Sequence, residues 1–422
     1  MTDAPPPASK RSLTVRSKWV LPSIFLANAF EWFDLVVLGY FAPVFSKLFF
    51  PTESKIASLS LTFLTFGMTF LVRPLGAIAL GSYSDRYGRK AALLVSVIMM
   101  TGGTAIIAVL PTYSVIGLFA PVILVAARIL QGFSAGGEFG SLTTFLAEYD
   151  SKSRGFFASL QFSSQGFTAL LATLFGVILA GSLSTAEIES FGWRIPFIFG
   201  TMIGLVAYLI RKVAIENLEF TSTSSPLKRL AFEGKIKSIL STTVVTLGTV
   251  VTYTIIFLPT YARVYLGFSA TNSFLGGLVT SATLIIITPL AGAISDRLGR
   301  LKTMLPPTII IILFSYPAFV WLIESPSLER LLIVQFVFGS LAAWYLGVLP
   351  SVMAELFPAQ YRASGLAISY AVGVTVFGGF SPAIVTFLIQ HTGNKLIPSF
   401  YLIIAAAISL IGLVASRRFG IK

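Results

Sequence analysis

Gly81-Ser82-Tyr83-Ser84-Asp85-Arg86-Tyr87-Gly88-Arg89-Lys90 returns later in the same chain as Gly292-Ala293-Ile294-Ser295-Asp296-Arg297-Leu298-Gly299-Arg300-Leu301-Lys302, 211 residues on in a sequence of 422. An offset of half the length points to a duplicated architecture. A second echo sets Glu148, Arg154 and Gly155 against Glu355, Arg362 and Gly365 at an offset of 207. Two motifs in the same order at nearly the same spacing imply two equivalent halves joined head to tail.

The residues between these motifs are apolar. Hydrophobic residues make up 55% of the chain and the mean hydropathy is +0.86, above the ordinary range for a soluble domain. Apolar stretches of about 20 residues, the length of helix that crosses a bilayer, recur with only short polar breaks. They predict about twelve transmembrane helices over 19–46, 57–82, 91–110, 115–146, 156–183, 194–211, 239–265, 273–294, 303–323, 331–354, 363–390 and 397–416. The chain is thus expected to be an all-α membrane protein with a cytoplasmic tail (1–17, disordered), an N-terminal six-helix half (18–212), a cytoplasmic linker (213–238), a C-terminal six-helix half (239–416) and a short cytoplasmic tail (417–422). The first span follows Lys10, Arg11, Arg16 and Lys18, but it is too long for a secretory signal and has no small-residue cleavage site behind it.

A net charge of +13 invites a nucleic-acid reading until the charges are placed. Most of the 30 Lys and Arg residues fall on one side of the predicted topology when both termini are cytoplasmic. That is the positive-inside bias, and it accounts for the basic total without nucleic acid. The expected setting is therefore a lipid bilayer, as a multi-pass protein of the plasma membrane, in a bacterium the inner membrane. With no Cys in the chain, disulfides, thiolate metal sites and thiol catalysis are excluded. No P-loop and no zinc or nucleophile-elbow motif is present, so neither an ATP-driven pump nor a membrane enzyme is expected.

The loop pattern Gly-x-x-x-Asp-Arg-x-Gly-Arg-Lys resembles the signature of the major facilitator superfamily. Three further motifs, Asn28-Ala-Phe-Glu31-Trp-Phe-Asp34, Arg73-Pro74-Leu-Gly76 and Arg128-Ile-Leu-Gln131-Gly-Phe-Ser-Ala-Gly-Gly-Glu138, resemble the metabolite:proton symporters of that superfamily. The stretches Phe49-Phe50-Pro51-Thr-Glu53-Ser54, Gly192-Trp193-Arg194-Ile-Pro196-Phe197 and Phe377-Gly378-Gly379-Phe-Ser-Pro382-Ala383-Ile look most like its citrate and tricarballylate branch. The resemblance implies a major facilitator fold of two six-helix halves and import of a small organic anion with protons, by alternating access. It implies no cofactor beyond the proton gradient, and a monomer is expected. In the family the loop motif helps latch the cytoplasmic side, which makes Gly81, Asp85, Arg86, Gly88, Arg89, Asp296, Arg297 and Arg300 a gating set. Physically, the glycines permit a tight turn and the charges can bond helix ends across the halves.

Ionisable groups inside a membrane helix cost at least about 2.5–3.5 kcal/mol each, so they are functional candidates. Five are expected there: Glu31, Asp34, Arg73, Arg128 and Glu138. At 100° per residue Glu31 and Asp34 lie about 60° apart, with Asn28 a further 60° round, so the three are expected to form one polar stripe. Gln131 and Glu138 are expected nearly eclipsed on the fourth helix with Arg128 one turn away. Asp34, with Glu31 and Glu138, is the expected proton-coupling group, since a carboxylate that meets apolar surroundings in one conformation and a cation in another changes its protonation with the cycle. In related porters an acid of the first helix pairs with an Arg of the fourth, so Asp34 and Arg128 are expected to form such a pair. Substrate binding is expected at Arg128, Arg73, Asn28, Gln131, Gln165 and Tyr253. Ordinary packing is the competing reading for each. Tyr253, Phe257 and Tyr261 can be a packed aromatic face, Gln161 and Gln165 an interhelical bond, and the acids and arginines register-fixing ion pairs. His391 reads as a loop residue. A proline or betaine symporter on the same frame is the alternative function. Proton-antiport export lacks its Gly-Pro signature in the fifth helix.

Overall fold

The computed structural model describes residues 20–136, 138–214 and 234–421. The expected N-terminal tail and most of the expected linker lie outside the described residues. The expected twelve helices appear as α1 (Val20–Tyr40), α2 (Lys55–Leu71, then Arg73–Tyr87), α3 (Arg89–Val109), α4 (Phe119–Ser134, then Glu138–Tyr149), α5 (Arg154–Ser182), α6 (Ile195–Ala214), α7 (Lys235–Tyr265), α8 (Ala270–Leu298), α9 (Arg300–Glu324), α10 (Leu328–Leu356), α11 (Arg362–Gly373, then Ser381–Thr392) and α12 (Ile397–Ser416). Among the described residues eleven are long and apolar enough to cross a membrane, and the apolar part of the sixth is the shorter Gly192–Val206. The protein is a multi-pass membrane protein. Outward-facing apolar side chains such as Ile78, Phe119, Leu205 and Ile411 are the complement of a lipid surround.

The duplication read from the sequence is visible in the packing. In each half the first helix packs on the fifth, the second on the fourth and the third on the sixth: α1 on α5, α2 on α4, α3 on α6, and likewise α7 on α11, α8 on α10, α9 on α12. The halves then meet along α5 against α8 and α2 against α11. Glycines permit these approaches, as expected where lipid supplies no hydrophobic drive between helices. A Cβ on Gly132 would lie 1.9 Å from the Thr69 carbonyl oxygen, and one on Gly155 would lie 2.4 Å from that of Gly292.

Three predicted helices are interrupted. Pro74 has no N–H to give the carbonyl of Phe70, and α2 breaks at Val72. The fourth helix restarts at Glu138, so the expected eclipse of Gln131 and Glu138 on one continuous helix does not hold. The eleventh loosens into a π turn over Val374–Gly378, the wider winding often met at functional sites. His391 lies in the last turn of α11 with its ring against Phe387, a helical position and not the loop the sequence suggested.

Both copies of the loop motif turn on a glycine with positive φ, Gly88 at 85° and Gly299 at 98°, each capping the next helix. Only glycine takes that backbone without strain. On this face, called the loop face below, the halves are tied by charge. The Asp296 carboxylate accepts from the backbone N–H of Gly155 (2.7 Å) and Phe156 (3.0 Å) at the start of α5, the positive end of that helix. Arg300 donates to Asp296 (2.8 Å) and to Glu355 (3.0 Å). The second echo closes reciprocally: Arg154 faces Glu355 at 3.7 Å, and Arg362 bonds Glu148. Each half thus lends its acid to the other half's arginine. Of the expected gating set, Asp296 and Arg300 sit in this latch, whereas Arg297 is exposed, as is Arg86 beside Tyr87. The side chains of Asp85 and Arg89 lie outside the described ones.

If this network holds the loop face shut, Glu355→Gln should weaken closure by about 1 kcal/mol, the scale of a part-exposed pair. The corresponding readout is a roughly fivefold faster alkylation of a single cysteine placed at Ser159. An unchanged rate would remove the ionic network from the closing role.

Candidate functional site

The intramembrane charges sit where α1, α2 and α4 converge. Arg128 is fully buried, and its guanidinium is committed to the protein. It donates to the backbone carbonyls of Asp34 (3.1 Å) and Leu35 (2.6 Å) and to Gln131 Oε1 (2.8 Å). Gln131 Nε2 continues the chain to Thr104 Oγ1 at 2.8 Å. The Asp34 carboxylate is within electrostatic reach of Arg128, as expected of the pair, but the guanidinium's hydrogen bonds go to that residue's backbone. Arg128 and Gln131 tie α4 to α1 and α3 through these bonds.

The Asp34 carboxylate turns elsewhere. It lies beside Gly200 of α6, where a Cβ would come within 2.1 Å of Oδ1 and 3.3 Å of the Thr104 methyl group, and the Thr104 hydroxyl is its nearest side-chain donor. Oδ1 is buried and has no hydrogen-bond partner among the described residues. The polar stripe on α1 is consequently split. Asn28, at the far side of the stripe, faces α5 and donates to Ser164 Oγ (2.6 Å) and the Gln161 carbonyl (3.3 Å). Gln161 returns a bond to Asn28 Oδ1 at 3.3 Å, so these two form the interhelical bond that was the plainer reading of Gln161. Glu31 is half-buried between them in sequence, and Glu138 is half-buried at the start of the second segment of α4.

Arg73 is the other buried guanidinium, and it is differently placed. Its charge lies over the rings of Trp32 (4.8 Å) and Phe70 (5.0 Å), and among the described residues it makes no hydrogen bond or ion pair; Nε is buried and unpartnered. The hydroxyls of Tyr253 on α7 and Tyr370 on α11 are within its electrostatic reach. Tyr253 packs edge-on to Phe70 at 4.9 Å, and Tyr370 stacks on Phe139 at 3.5 Å. Gln165 of α5 lies beside Tyr370. Among the described residues the Tyr253 hydroxyl is buried without a hydrogen bond, and the buried Gln165 amide makes none of good geometry, with the Tyr370 hydroxyl its nearest polar neighbour. Such orphaned donors are costly unless something periodically satisfies them. The group draws on both halves: Trp32, Arg73 and Gln165 from the first, Tyr253 and Tyr370 from the second.

The break in α2 belongs to this region. The Phe70 carbonyl, deprived of its helical partner by Pro74, accepts instead from Thr375 Oγ1 in the π turn of α11 at 3.0 Å. Two irregular helices from opposite halves are thereby joined one turn from Arg73. The aromatic face of α7 divides in the same way: Phe257 meets Phe63 of α2 at 5.5 Å, whereas Tyr261 turns into its own half and donates to the Lys395 carbonyl at 2.7 Å. In the second half the positions matching the first half's charges carry neutral bonds, Thr280 to Gln335 (2.6 Å) and Tyr345 to the Val244 carbonyl (2.6 Å).

Sequence reasoning named Arg73, Tyr253 and Gln165 but missed Trp32, Phe70, Tyr370, Thr375 and Gly200. A signal existed for one of these contacts. Pro74 leaves the carbonyl four residues earlier without a donor, which marks Phe70 as a place where a side chain must arrive.

The sequence matches the family described as Major Facilitator Superfamily over residues 24–322 and 240–420. The chain belongs to the Major Facilitator Superfamily. Its relatives include a citrate-proton symporter of Klebsiella pneumoniae, 36% identical with 91% of this chain and 88% of that protein covered, and one of Salmonella typhi, 36% identical with 94% and 92% covered. A protein of Staphylococcus aureus (strain COL) assigned by name to proline/betaine transport is 32% identical, with 94% and 87% covered. The resemblance to the metabolite:proton symporters and their citrate branch is borne out. A solved D-xylose-proton symporter superposes with a TM-score of 0.75 at 16% identity, covering 92% of this chain and 96% of that one, which shows the shared superfamily fold.

Two substitutions separate the arginines. Arg128→Gln removes two charge-assisted bonds to buried carbonyls of α1 and should lower the melting temperature in detergent by several degrees, since each lost bond to a charged donor is worth about 1.5–3 kcal/mol. Arg73→Gln should leave it nearly unchanged. The opposite order would reverse the two roles. Gly200→Ala drives a methyl group onto the Asp34 carboxylate and should reduce transport as strongly as a substitution of Asp34 itself, at normal expression; wild-type transport would show that the carboxylate's position there is immaterial.

Proposed function

We propose that this protein imports a small carboxylate, di- or tricarboxylate and citrate-like, together with protons, by alternating access of its two halves about the Arg73 site. The observation that carries the reading is a buried guanidinium with no ion pair among the described residues, set between the halves beside buried hydroxyl and amide groups that lack good hydrogen bonds there. A carboxylate satisfies all of these at once: it takes two N–H donors from Arg73 in the fork geometry that guanidinium favours and accepts from Tyr253 and Gln165. The names of the relatives support substrate class and proton coupling together.

Asp34 is the coupling group in this reading. Its carboxylate is buried, unpaired at Oδ1 and close to a guanidinium that is already in use. Binding and release of a proton there, as the α1 surroundings alternate between dry and wet, converts a pH gradient into a bias on the rocking of the halves. Arg128 serves as a positioning residue by holding the α1 backbone at Asp34. Glu31 and Glu138 remain secondary proton-handling groups. The loop face is the cytoplasmic one, in accord with the positive-inside bias, and the membrane is a bacterial inner membrane. No chemistry beyond transport and no cofactor is involved, and the working unit is the monomer.

A second reading has one observation in its favour. The tyrosine faces beside Arg73 suit a quaternary ammonium, so a betaine could place its carboxylate on Arg73 and its cation against Tyr253 and Tyr370. Counterflow in proteoliposomes with labelled citrate, proline and betaine decides between them. Exchange of citrate alone is expected, and exchange of betaine without citrate would overturn the assignment.

Asp34→Asn tests the coupling. Citrate accumulation driven by an imposed pH gradient, acid outside, should fall to the level of a chain-free vesicle, while citrate counterflow at equal pH persists. Undiminished accumulation by this variant would take Asp34 out of the coupling step.

A further inference from the structure

On the face opposite the loop face a cavity opens between the halves, away from the Arg73 group. Tyr40, Phe41, Val44, Gly176 and Leu179 line it from the first half, and Pro259, Thr260, Arg263, Ser273 and Phe274 from the second. Its interior is narrow, about 30 Å³, and it opens to solvent at the mouth. It is walled by the Phe41–Phe274 ring pair, whose centroids are 5.7 Å apart and which joins α1's end to α8. Tyr40 is six residues beyond Asp34 on α1, and Thr260 seven beyond Tyr253 on α7, so the cavity lies about 10 Å outward of the central groups at 1.5 Å per residue.

Its polar lining is unsatisfied. The Tyr40 hydroxyl and Thr260 Oγ1 belong to side chains 1% exposed, and neither atom has a hydrogen-bond partner among the described residues. Arg263 also lines the cavity, and no hydrogen bond or ion pair ties it to a described residue, including the carbonyls that end α7. The acids flanking the lining residue Ile188 are engaged elsewhere. Glu189 pairs with Lys47 at 2.5 Å. Glu187 is bound into a capping box with Ser184, whose backbone and hydroxyl hydrogen bonds hold its carboxyl below the usual carboxylate range. Among the described residues the cavity therefore presents a cation without a partner and two buried hydroxyls, and the acids beside Ile188 are bound elsewhere.

We propose that this cavity is an outer binding site for a carboxylate anion, distinct from the Arg73 site, in which Arg263 and the hydroxyls of Tyr40 and Thr260 hold one carboxylate group before the halves rearrange. The inference rests on the reading of the protein as an importer of small organic anions. The geometry suits that ligand: hydroxyls donate to carboxylate oxygens, the guanidinium supplies charge-assisted bonds, and the remainder of the anion extends into the open mouth. The Phe41–Phe274 pair stands as an apolar barrier to be parted on the way inward. An anion held there raises the local substrate concentration at the gate.

Because the chain has no native cysteine, a single Ala270→Cys at the cavity lining reports occupancy directly. In proteoliposomes without a pH gradient, the labelling rate by a membrane-impermeant methanethiosulfonate is measured with citrate as the probe ligand. Citrate should slow labelling several-fold in A270C and equally in A270C/R73Q, and should fail to do so in A270C/R263Q; R263K should keep part of the protection. Monodispersity of each variant on size exclusion guards against misfolding. Absence of protection in A270C, or protection lost with R73Q yet kept with R263Q, would overturn the outer site. Accumulation of citrate without protection defeats this inference alone, whereas protection without accumulation defeats the transport reading and leaves the site.

Discussion

A guanidinium group in a membrane interior must be given acceptors, and the two buried arginines of this protein meet that demand in opposite ways. Arg128 is supplied by the protein itself, through the carbonyls of Asp34 and Leu35 and the amide of Gln131. Among the described residues Arg73 is supplied only with aromatic faces. The ring quadrupoles of Trp32 and Phe70 offset part of the desolvation cost, on the order of 2 kcal/mol when desolvated, but they do not replace a counter-ion. One arginine is structural and the other is incomplete, and the incomplete one lies where both halves can reach it.

The surrounding architecture follows from the same demand. Close packing of α2 on α4 through Gly76, Gly132 and Gly136 brings both arginines into one region. Pro74 frees a carbonyl next to Arg73, and Thr375 of the opposite half answers it. That bond crosses between halves through two irregular helices, within one turn of Arg73. The loop face is closed by ions and the opposite face by rings. Reciprocal Glu–Arg pairs are reversible in water, whereas parting the Phe41–Phe274 contact exposes apolar area.

Much of this was legible in the sequence because duplication and membrane length are strong signals. The Gly-x-x-x-Asp-Arg-x-Gly pattern placed the positive-φ turns at Gly88 and Gly299 and the latch at Asp296 and Arg300. The Glu148–Arg154 and Glu355–Arg362 echo was visible, but its exchange of partners between halves was not, since a repeat fixes equivalence and says nothing of who binds whom. The charges inside helices were likewise identifiable, yet their directions were not. Helical periodicity put Asn28, Glu31 and Asp34 on one broad face, and the 120° between its ends is enough to send Asn28 to α5 and Asp34 to α6. Proximity of Asp34 and Arg128 was correctly anticipated, whereas the use of backbone carbonyls in place of the carboxylate depends on side-chain rotamers that no spacing rule reports. Tyr370 and Trp32 carried no polar or periodic mark to separate them from the many aromatics in the packing.

The measurement that bears most directly on this account is a structure determined with citrate bound. A citrate carboxylate within about 2.7–2.9 Å of the Arg73 guanidinium, with Arg128 still bonded to the carbonyls of Asp34 and Leu35, is the predicted result. Citrate seated on Arg128, with Arg73 left between Trp32 and Phe70, would contradict it.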